Sequence, residues 1–431
     1  MYGLTWLPKQ NVPIVGKPAN SRWKLRNDSW LAGQYERRIF TETLEKQLGV
    51  KVDFTDRILV FHRVPSWSRG IEYAVEVYGE GARLGLLLYS NGSWLVIPSG
   101  ALASVIESIG GEVIELNITE KYIKNKKLQL DRKLCPNGSK YVLISHREYV
   151  GVAKVIDPEK CIVKVKDMAP RGFKLLDKAH SKDLLELNKP IIEEYAGEAM
   201  GFIRGVYASY NQHVMPVAFS GGADSTAVLS LAVEALGSDR VIAVYSDTGL
   251  EFDETRRYVE EISNRLGVEL VVLESGVDVF GEIRKRGLMC VDNRWCTSLL
   301  KLNPMRMYYE SRSLRVYLDG ARDYESTLRA ITPRIGENPL IPGVLRALPV
   351  KSWPRIVIQL YLLSRGIPLN PLYYKGYTRI GCIICPAMHR FELLLSYSEY
   401  KKIHEDFMNV SGLDPDEFFS MKWSKRRIFT E

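Results

Sequence analysis

The sequence lacks any long, uninterrupted hydrophobic run. None of its apolar stretches reaches the ~18 residues that a membrane-spanning helix needs, although 46% of the 431 residues are hydrophobic, enough for sizeable cores. The first residues, MYGLTWLPKQNVPIVGK, do not have the basic-then-apolar order of a secretory signal. Internal repeats and low-complexity segments are absent as well. These absences predict a soluble, cytoplasmic protein of two to four domains without a membrane partner.

Cysteine is scarce, with six residues in the chain. Cys135 and Cys161 fall in a β-rich stretch, and we predict no special role for them. In a cytosolic chain, clustered cysteines indicate metal or redox chemistry more than disulfides. The spacing of Cys382-x-x-Cys385 is typical of a metal ion or cluster held from a tight turn. The alternative is a redox pair plus separate buried thiols. The other two late cysteines are Cys290 and Cys296.

Acidic residues are fewer than basic ones, 51 against 59, so the net charge of the chain is +8. This charge favours polyanionic partners, nucleic acid above all. Six basic side chains could contact RNA phosphates, although a solvated loop is an equal interpretation. They are Lys121, Lys124, Lys126, Lys127, Arg132 and Lys133.

The order of apolar patterns predicts a β-rich region followed by an α/β region. LGLLLYSNGSWLVIP has two apolar runs around Asn91-Gly92, a strong hairpin signal. From residue 214 on, apolar strands alternate with helical patterns, which predicts a doubly wound parallel sheet with ligands at the carboxyl ends of its strands. We divide the chain into an N-terminal segment 1–70, a β-rich domain 71–176, an α/β domain 177–400 and a basic helical tail 401–431.

The stretch MPVAFSGGADSTAVLS joins the first of these strands to a helix. Glycines let backbone N–H groups curl around an anion, and the N-terminus of the following helix favours negative charge. The hydroxyls of Ser220, Ser225 and Thr226 add donors. The stretch lacks the Gly-Lys-Ser/Thr ending of a Walker loop. It predicts a phosphate site of another kind, with a capped glycine turn as the alternative.

Ser-Gly-Gly-x-Asp-Ser resembles the PP-loop of the ATP-pyrophosphatase (adenine nucleotide alpha hydrolase-like) superfamily. This resemblance implies a HUP-like sheet, cleavage of ATP to AMP and pyrophosphate, and Mg²⁺ placed with the help of Asp224. Ala223 stands where many members carry lysine, so a lysine contact is not expected there. The implied nucleotide-binding residues are Ser220, Gly221, Gly222, Asp224, Ser225 and Thr226.

Four later segments, YSDTGLEFDETRRYVEEI, RWCTSLLKLNPM, DGARDYESTLRA and YTRIGCIICPA, resemble the phosphoadenosine phosphosulfate (PAPS) reductase family, over about 210–400. The resemblance implies that Arg322 and Arg329 contact anionic groups and, with Asp224, serve catalysis. It also implies a [4Fe–4S] cluster, with zinc as the alternative, on Cys290, Cys296, Cys382 and Cys385. The implied adenine and ribose pocket is lined by Tyr245, Ser246, Asp247 and Thr248.

The resemblance has one departure and one extension. Reductases of the family use a catalytic cysteine near the C-terminus, and here no cysteine follows Cys385. At the other end, YVGVAKVID and IVKVKDMAPRG resemble a PUA-like domain of RNA-modifying enzymes, over about 85–176. The alternative is a β-domain for homo-oligomerisation. The first residues resemble a zinc-ribbon start whose cysteines are replaced, so no metal is expected at Leu7, Gln10 or Ala19.

Together these patterns lead to three hypotheses of function. The first is ATP-dependent sulfur transfer to RNA, in particular tRNA, with a sulfur-donor protein and an Fe–S cluster. The second is a reductase that makes sulfite from PAPS or adenosine phosphosulfate with an electron-donor protein. The third is a non-catalytic, nucleotide-sensing RNA binder.

Overall fold

A computed structural model divides the chain into two compact units, Met1–Asn188 and Lys189–Glu431. The structure describes residues 1–65, 71–135 and 140–425. The last residues of the predicted basic tail, 426–431, lie outside this part of the chain. The four-part division made from the sequence stays a prediction.

The first unit consists mainly of strands. Among its described residues, two α-helices lie wholly within the unit, α1 (Gln34–Leu48) and α2 (Gly100–Ser108). The described strands are β1 (Tyr2–Leu7), β2 (Val12–Gly16), β3 (Trp23–Leu25), β4 (Ser29–Leu31), β5 (Val60–Arg63), β6 (Ile71–Gly79), β7 (Ala82–Ser90), β8 (Ser93–Pro98), β9 (Ile114–Glu115), β10 (Lys127–Gln129), β11 (Tyr141–His146), β12 (Tyr149–Asp157) and β13 (Ile162–Pro170). They form three sheets, with the strand orders β2-β1-β3, β4-β5-β6-β7-β8 and β10-β13-β12-β11-β9.

The predicted hairpin at Asn91-Gly92 is confirmed. β7 and β8 pair antiparallel up to Ser90 and Ser93. Asn91 and Gly92 have φ angles of 50° and 80°, as a two-residue type I′ turn requires. This turn matches the right-handed twist of the flanking strands, which is why Asn-Gly is so informative in a sequence.

A buried carboxylate joins three separate segments of the first unit. Glu80 is 3% exposed and lies in the turn between β6 and β7. Its carboxylate oxygens accept hydrogen bonds from Arg57 Nη1 at 3.0 Å, from Asn11 Nδ2 at 3.3–3.4 Å and from the backbone N–H of Leu176 at 2.7 Å. A buried carboxylate is tolerable only when it is paired and hydrogen-bonded in this way. Glu80 therefore ties the β6–β7 turn to the β1–β2 turn, to the segment before β5 and to the segment around Leu176.

The second unit contains the alternating strands and helices. The sequence pattern of residues 178–210 predicts a helix before the first strand, and helix α3 (Ser181–Tyr210) confirms this prediction. The strands are β14 (Met215–Ala218), β15 (Val241–Asp247), β16 (Glu269–Glu274), β17 (Val316–Leu318), β18 (Ile335–Asn338) and β19 (Ile341–Ala347). The helices are α4 (Ala223–Leu236), α5 (Asp253–Leu266), α6 (Val279–Arg286), α7 (Asn303–Ser311), α8 (Thr327–Ile331), α9 (Arg355–Ser364), α10 (Pro371–Lys375), α11 (Arg390–Glu399), α12 (Lys401–Ser411) and α13 (Pro415–Phe419). A π-helix, Thr297–Leu302, leads directly into α7.

The sheet of the second unit has the order β16-β15-β14-β17-β19-β18. All pairs are parallel except β18 with β19. The doubly wound fold is thus confirmed. The chain builds outward from β14 through β15 to β16, and then crosses to the other side of β14 with β17. The resulting switch point lies between β14 and β17, where α/β sheets of this kind bind ligands.

Among the described residues, no helix combines the length and the apolar character needed to cross a membrane.

The Glu80 network predicts a large loss of stability when the carboxylate is removed. Glu80→Ala leaves the Arg57 guanidinium without its partner, so we expect the free energy of unfolding to fall by about 3 kcal/mol. The matched control is Asp56→Ala, because the Asp56–Lys178 pair is 71% and 66% exposed and should contribute less than about 1 kcal/mol. Denaturant unfolding measures both. Equal, small effects of the two substitutions would contradict the structural role of Glu80.

Candidate nucleotide site

The loop that follows β14 turns sharply into helix α4. Gly221 has a φ of 72°, a left-handed conformation that glycine adopts without strain. A Cβ atom at this position would also approach Thr255 Cγ2 to 3.1 Å. The Gly221 carbonyl accepts a hydrogen bond from Asn370 Nδ2 at 3.2 Å, and Asn370 is completely buried. The sequence motif therefore has its glycine where the backbone needs one.

Hydroxyl groups hold the loop in shape. Ser225 Oγ accepts from the Ser220 N–H at 3.2 Å and donates to the Gly222 carbonyl at 3.0 Å. Thr226 Oγ1 donates to the same carbonyl at 2.9 Å and lies 3.3 Å from the Tyr258 hydroxyl. Thr226 is fully buried whereas Ser220 is exposed. Of the predicted hydroxyl donors, Ser220 is exposed to solvent, whereas Thr226 is buried and bonds to the loop backbone at Gly222.

Arg322 and Asp224 form an ion pair beside this loop. Arg322 Nε lies 2.9 Å from Asp224 Oδ1, and the arginine side chain is 3% exposed. Arg322 Nη1 also donates to the Trp353 carbonyl at 3.1 Å, and the Arg322 N–H donates to Glu325 Oε2 at 2.8 Å. The guanidinium is therefore fixed within the protein, and it orients Asp224 in the first turn of α4.

The segment after β17 packs closely against the same turn. A Cβ atom on Gly320 would lie 2.8 Å from the Ser225 nitrogen and 2.9 Å from the Asp224 carbonyl carbon. Such a distance is too short for any side chain. Gly320 thus lets the end of β17 support the N-terminus of α4.

Arg329 is placed differently from Arg322. Its side chain is 46% exposed and forms an ion pair with Glu325, one turn earlier. Glu325 therefore interacts with both Arg322 and Arg329. Arg329 remains accessible to solvent, and its contact with an anionic ligand stays a prediction.

The predicted adenine and ribose residues lie at the end of β15. Tyr245 is buried, which raises the pKa of its hydroxyl, and this hydroxyl has no hydrogen-bond partner among the described residues. Ser246 Oγ donates to the Lys301 carbonyl at 3.3 Å. Asp247 accepts from the Gly249 N–H at 2.8 Å and pairs with Arg256 at 2.8 Å. Asp247 thus shapes its own turn as well as facing the carboxyl edge of the sheet.

A buried charged cluster, which we name the Glu251 cluster, connects this turn to the Cys-x-x-Cys segment. It consists of Thr248, Glu251, Lys301 and Cys382. Glu251 Oε1 accepts from Thr248 Oγ1 at 3.0 Å and from Cys382 Sγ at 3.5 Å. Lys301 Nζ lies 3.2 Å from the same oxygen. Desolvation lowers the pKa of the half-buried Lys301, but the Cys382 thiol and the Glu251 carboxylate together outweigh it, so that the pKa is raised.

Three of the four late cysteines interact with one another. Cys385 interacts electrostatically with both Cys296 and Cys382. Burial raises the pKa of both of these thiols, that of Cys382 to about 12 with a further contribution from Glu251. Cys290 is buried in a separate turn, where its N–H and carbonyl bond with Asn293. Within the described ranges, no group of three or more His, Cys, Asp or Glu side chains is arranged to hold a metal ion. The cluster on four cysteines stays a prediction.

Several residues of this region were not predicted from the sequence. Tyr373 accepts a hydrogen bond from the Ala223 N–H at 3.1 Å, in the first turn of α4. Glu251 and Lys301 meet only in the tertiary structure, since 50 positions separate them. The π-helix that carries Lys301 is a feature often found at functional sites. No local sequence pattern predicts this π-helix.

These features define a PP-loop nucleotide-binding protein of the HUP fold class. Residues 214–388 match the family described as the phosphoadenosine phosphosulfate reductase domain. The chain is 30% identical to the uncharacterized protein MJ0066 of Methanocaldococcus jannaschii, over 94% of this chain and 91% of that protein. It belongs to the same family as that archaeal protein, with a PAPS reductase domain in its C-terminal part.

Two further matches each cover less than half of this chain. The phosphoadenosine 5'-phosphosulfate reductase of Buchnera aphidicola is 25% identical over 40% of this chain and 70% of that protein. Among solved structures, a PAPS reductase from Candida auris in a phosphate complex is 20% identical with a TM-score of 0.35, covering 47% of this chain and 96% of that chain.

Gly320 gives a direct test of how the loop is supported. Gly320→Ala should push the end of β17 away from α4, and we expect the free energy of unfolding to fall by about 1–3 kcal/mol. The matched control is Gly205→Ala in α3, where a Cβ atom meets nothing within 4 Å and should add up to about 1 kcal/mol of stability. Denaturant unfolding measures both variants. Unchanged stability of the Gly320→Ala protein would contradict the close packing.

Proposed function

We propose that this protein is an ATP-using enzyme that joins AMP to an oxygen of its substrate and releases pyrophosphate. The observation that carries the proposal is the loop Ser220–Thr226 at the switch point of the sheet, followed directly by helix α4. The exposed Ser220 hydroxyl, the left-handed Gly221 and the positive end of α4 are suited to a bound pyrophosphate group.

Asp224 has the central role in this proposal. A carboxylate in the first turn of α4 is placed to help hold Mg²⁺ against the phosphates, and the donor chemistry fits because Mg²⁺ prefers oxygen ligands. When bound, Mg²⁺ would neutralise the charge that develops on the leaving pyrophosphate. Arg322 acts as a positioning residue, since it is buried and holds Asp224 in one orientation. Arg329 is the exposed cation that could reach the nucleotide or the substrate.

The end of β15 would form the nucleoside pocket. The buried Tyr245 hydroxyl has no protein partner among the described residues and could take one from a ligand. Ser246 and Thr248 line the same edge of the sheet. Thr248 also belongs to the Glu251 cluster and lies 3.6 Å from Cys382 Sγ, so the proposed pocket would lie next to Cys382.

For the second half of the reaction we propose that sulfide attacks the carbon that bears the adenylated oxygen, so that a C–S bond forms, the C–O bond breaks and AMP leaves with the oxygen. Cys290, Cys296, Cys382 and Cys385 would hold a [4Fe–4S] cluster, with zinc as the alternative, and soft thiolate ligands suit both. When bound, such a cluster would supply a site for sulfide. The proximity of Cys385 to both Cys296 and Cys382 supports this assignment. Lys301 contributes a half-buried positive charge beside Glu251 and Cys382.

RNA is the proposed acceptor, in particular a tRNA base oxygen. The support comes from the net charge of +8 and from the β-rich first unit. The six basic side chains between residues 121 and 133 are all exposed, where they could contact phosphates. Lys124 and Lys126 are partly neutralised by Asp167 and Glu120.

A second candidate is reduction of a sulfonucleotide to sulfite. It is favoured by the family match over residues 214–388, which bears the name of that activity. In this case PAPS or adenosine phosphosulfate would occupy the site, and ATP would not be consumed. The two candidates therefore differ in the nucleotide used and in the product released.

The ATP reaction is tested with Asp224→Asn. Loss of the carboxylate should lower RNA-dependent release of AMP and pyrophosphate about 100-fold, the size expected when stabilisation of developing charge is lost. The assay uses anaerobically purified protein, labelled ATP and bulk tRNA. Glu260→Gln, an exposed carboxylate on α5, is the control and should keep full activity. Thermal unfolding shows whether Asp224→Asn is folded. If the wild type instead makes sulfite from PAPS and a thiol without using ATP, the second candidate is correct.

The metal assignment has its own test. Anaerobic wild-type protein should contain about four iron atoms per chain and be brown. Cys296→Ser and Cys382→Ser should each lower the iron content and the visible absorbance. Cys135→Ser, in the other unit, serves as the control and should leave both unchanged. A colourless wild type with one zinc ion per chain would contradict the Fe–S cluster.

A further inference from the structure

The two cysteines of the first unit, Cys135 and Cys161, contact each other. Both belong to one apolar cluster beneath the sheet β10-β13-β12-β11-β9, and both are free thiols. Burial, and then the neighbouring Cys135 thiol, raise the pKa of the Cys161 thiol to about 11. The two cysteines are 26 positions apart in sequence and lie on different segments, so the fold alone brings them together.

Backbone bonds already join the two segments. The Cys161 carbonyl accepts from the Leu130 N–H at 3.0 Å. Cys135 directly follows the short helical turn Arg132–Leu134, and its Sγ donates to the Pro158 carbonyl at 3.6 Å. Cys161 ends the turn between β12 and β13 with a φ of 52°. These contacts hold both cysteines at the same end of the β12–β13 hairpin, in one apolar cluster.

We propose that Cys135 and Cys161 are a redox modification site, a dithiol that forms a reversible intramolecular disulfide by exchange with a small-molecule disulfide. The proposal does not depend on the proposed function. It concerns the first unit only, and it uses none of the cysteines assigned to the metal site.

The burial of the two thiols sets the order of the steps. Cys135 is partly exposed and Cys161 is fully buried. Cys135 Sγ, as the thiolate, attacks the small disulfide, forms a mixed disulfide and releases one small thiolate. Cys161 Sγ then attacks Cys135 Sγ and expels the second small thiolate. The two protons of the protein thiols end on the two released thiols, so two protein thiols are oxidised and one disulfide is reduced.

The bond would tie a basic segment to the sheet. Lys133 and Arg132 lie two and three residues before Cys135, and Lys126 and Lys127 lie on or next to β10. Joining this segment to the β12–β13 turn closes a loop that contains β11 and β12. Such a cross-link restricts the unfolded chain and should raise the midpoint of thermal unfolding.

The test compares full-length protein equilibrated anaerobically with reduced and with oxidised glutathione. Free thiols are blocked by alkylation, and peptides are mapped without reduction. In oxidised glutathione we expect a linked pair of peptides that contain Cys135 and Cys161, removed by dithiothreitol. We also expect the thermal midpoint of the first unit to rise by about 5 °C.

Cys135→Ser is the primary control, because this side chain is partly exposed and its replacement should be tolerated. It should abolish both the linked peptides and the thermal shift. Cys161→Ser should abolish the linked peptides as well. The linked peptides are detected by mass spectrometry, so this result does not depend on the stability of the Cys161→Ser protein. Cys135 and Cys161 both recovered as alkylated thiols from oxidised glutathione would overturn the proposal, as would a bond from either one to a third cysteine.

Discussion

The second unit depends on one close contact, between the end of β17 and the first turn of α4. Gly320 allows the backbone to approach Asp224 and Ser225, and Arg322, two residues later, pairs with Asp224 from a buried position. A buried guanidinium needs a partner, since the desolvation penalty of an unpaired charge is several kcal/mol. The loop after β14, the start of α4 and the segment after β17 are therefore fixed as one body. The proposed nucleotide site would be built on this body, because the backbone amides of the loop and the Asp224 carboxylate both belong to the same turn.

The order of the strands explains why the remaining groups gather at the same edge. β15 lies on one side of β14 and β17 on the other, so their carboxyl ends flank the loop. The turn after β15 leads to Glu251, which forms an isolated bridge with Cys382. The π-helix brings Lys301 to the same carboxylate. The turn after β15 and the Cys-x-x-Cys segment thus share one buried carboxylate, that of Glu251.

The first unit shows the same dependence on buried polar contacts. Glu80 receives hydrogen bonds from three distant segments, and Cys135 meets Cys161 across the edge of a sheet. Neither contact follows from a local pattern. The apolar alternation of β6, β7 and β12 predicts the strands, whereas the register and the polar partners depend on how the sheets are closed.

The sequence by itself determined the doubly wound sheet, the Asn91-Gly92 hairpin, helix α3 and the position of the PP-loop. These features follow from local physics, because apolar period, turn conformation and helix N-terminal capping act over a few residues. Only the tertiary structure decided that Arg322 is a buried partner of Asp224 and that Arg329 is exposed. It also decided that Thr226 supports the loop from beneath, and that Glu251, Lys301 and Cys382 share one site. Their burial and pairing are set by the crossing of the chain between β14 and β17, which joins residues about 50 to 130 positions apart.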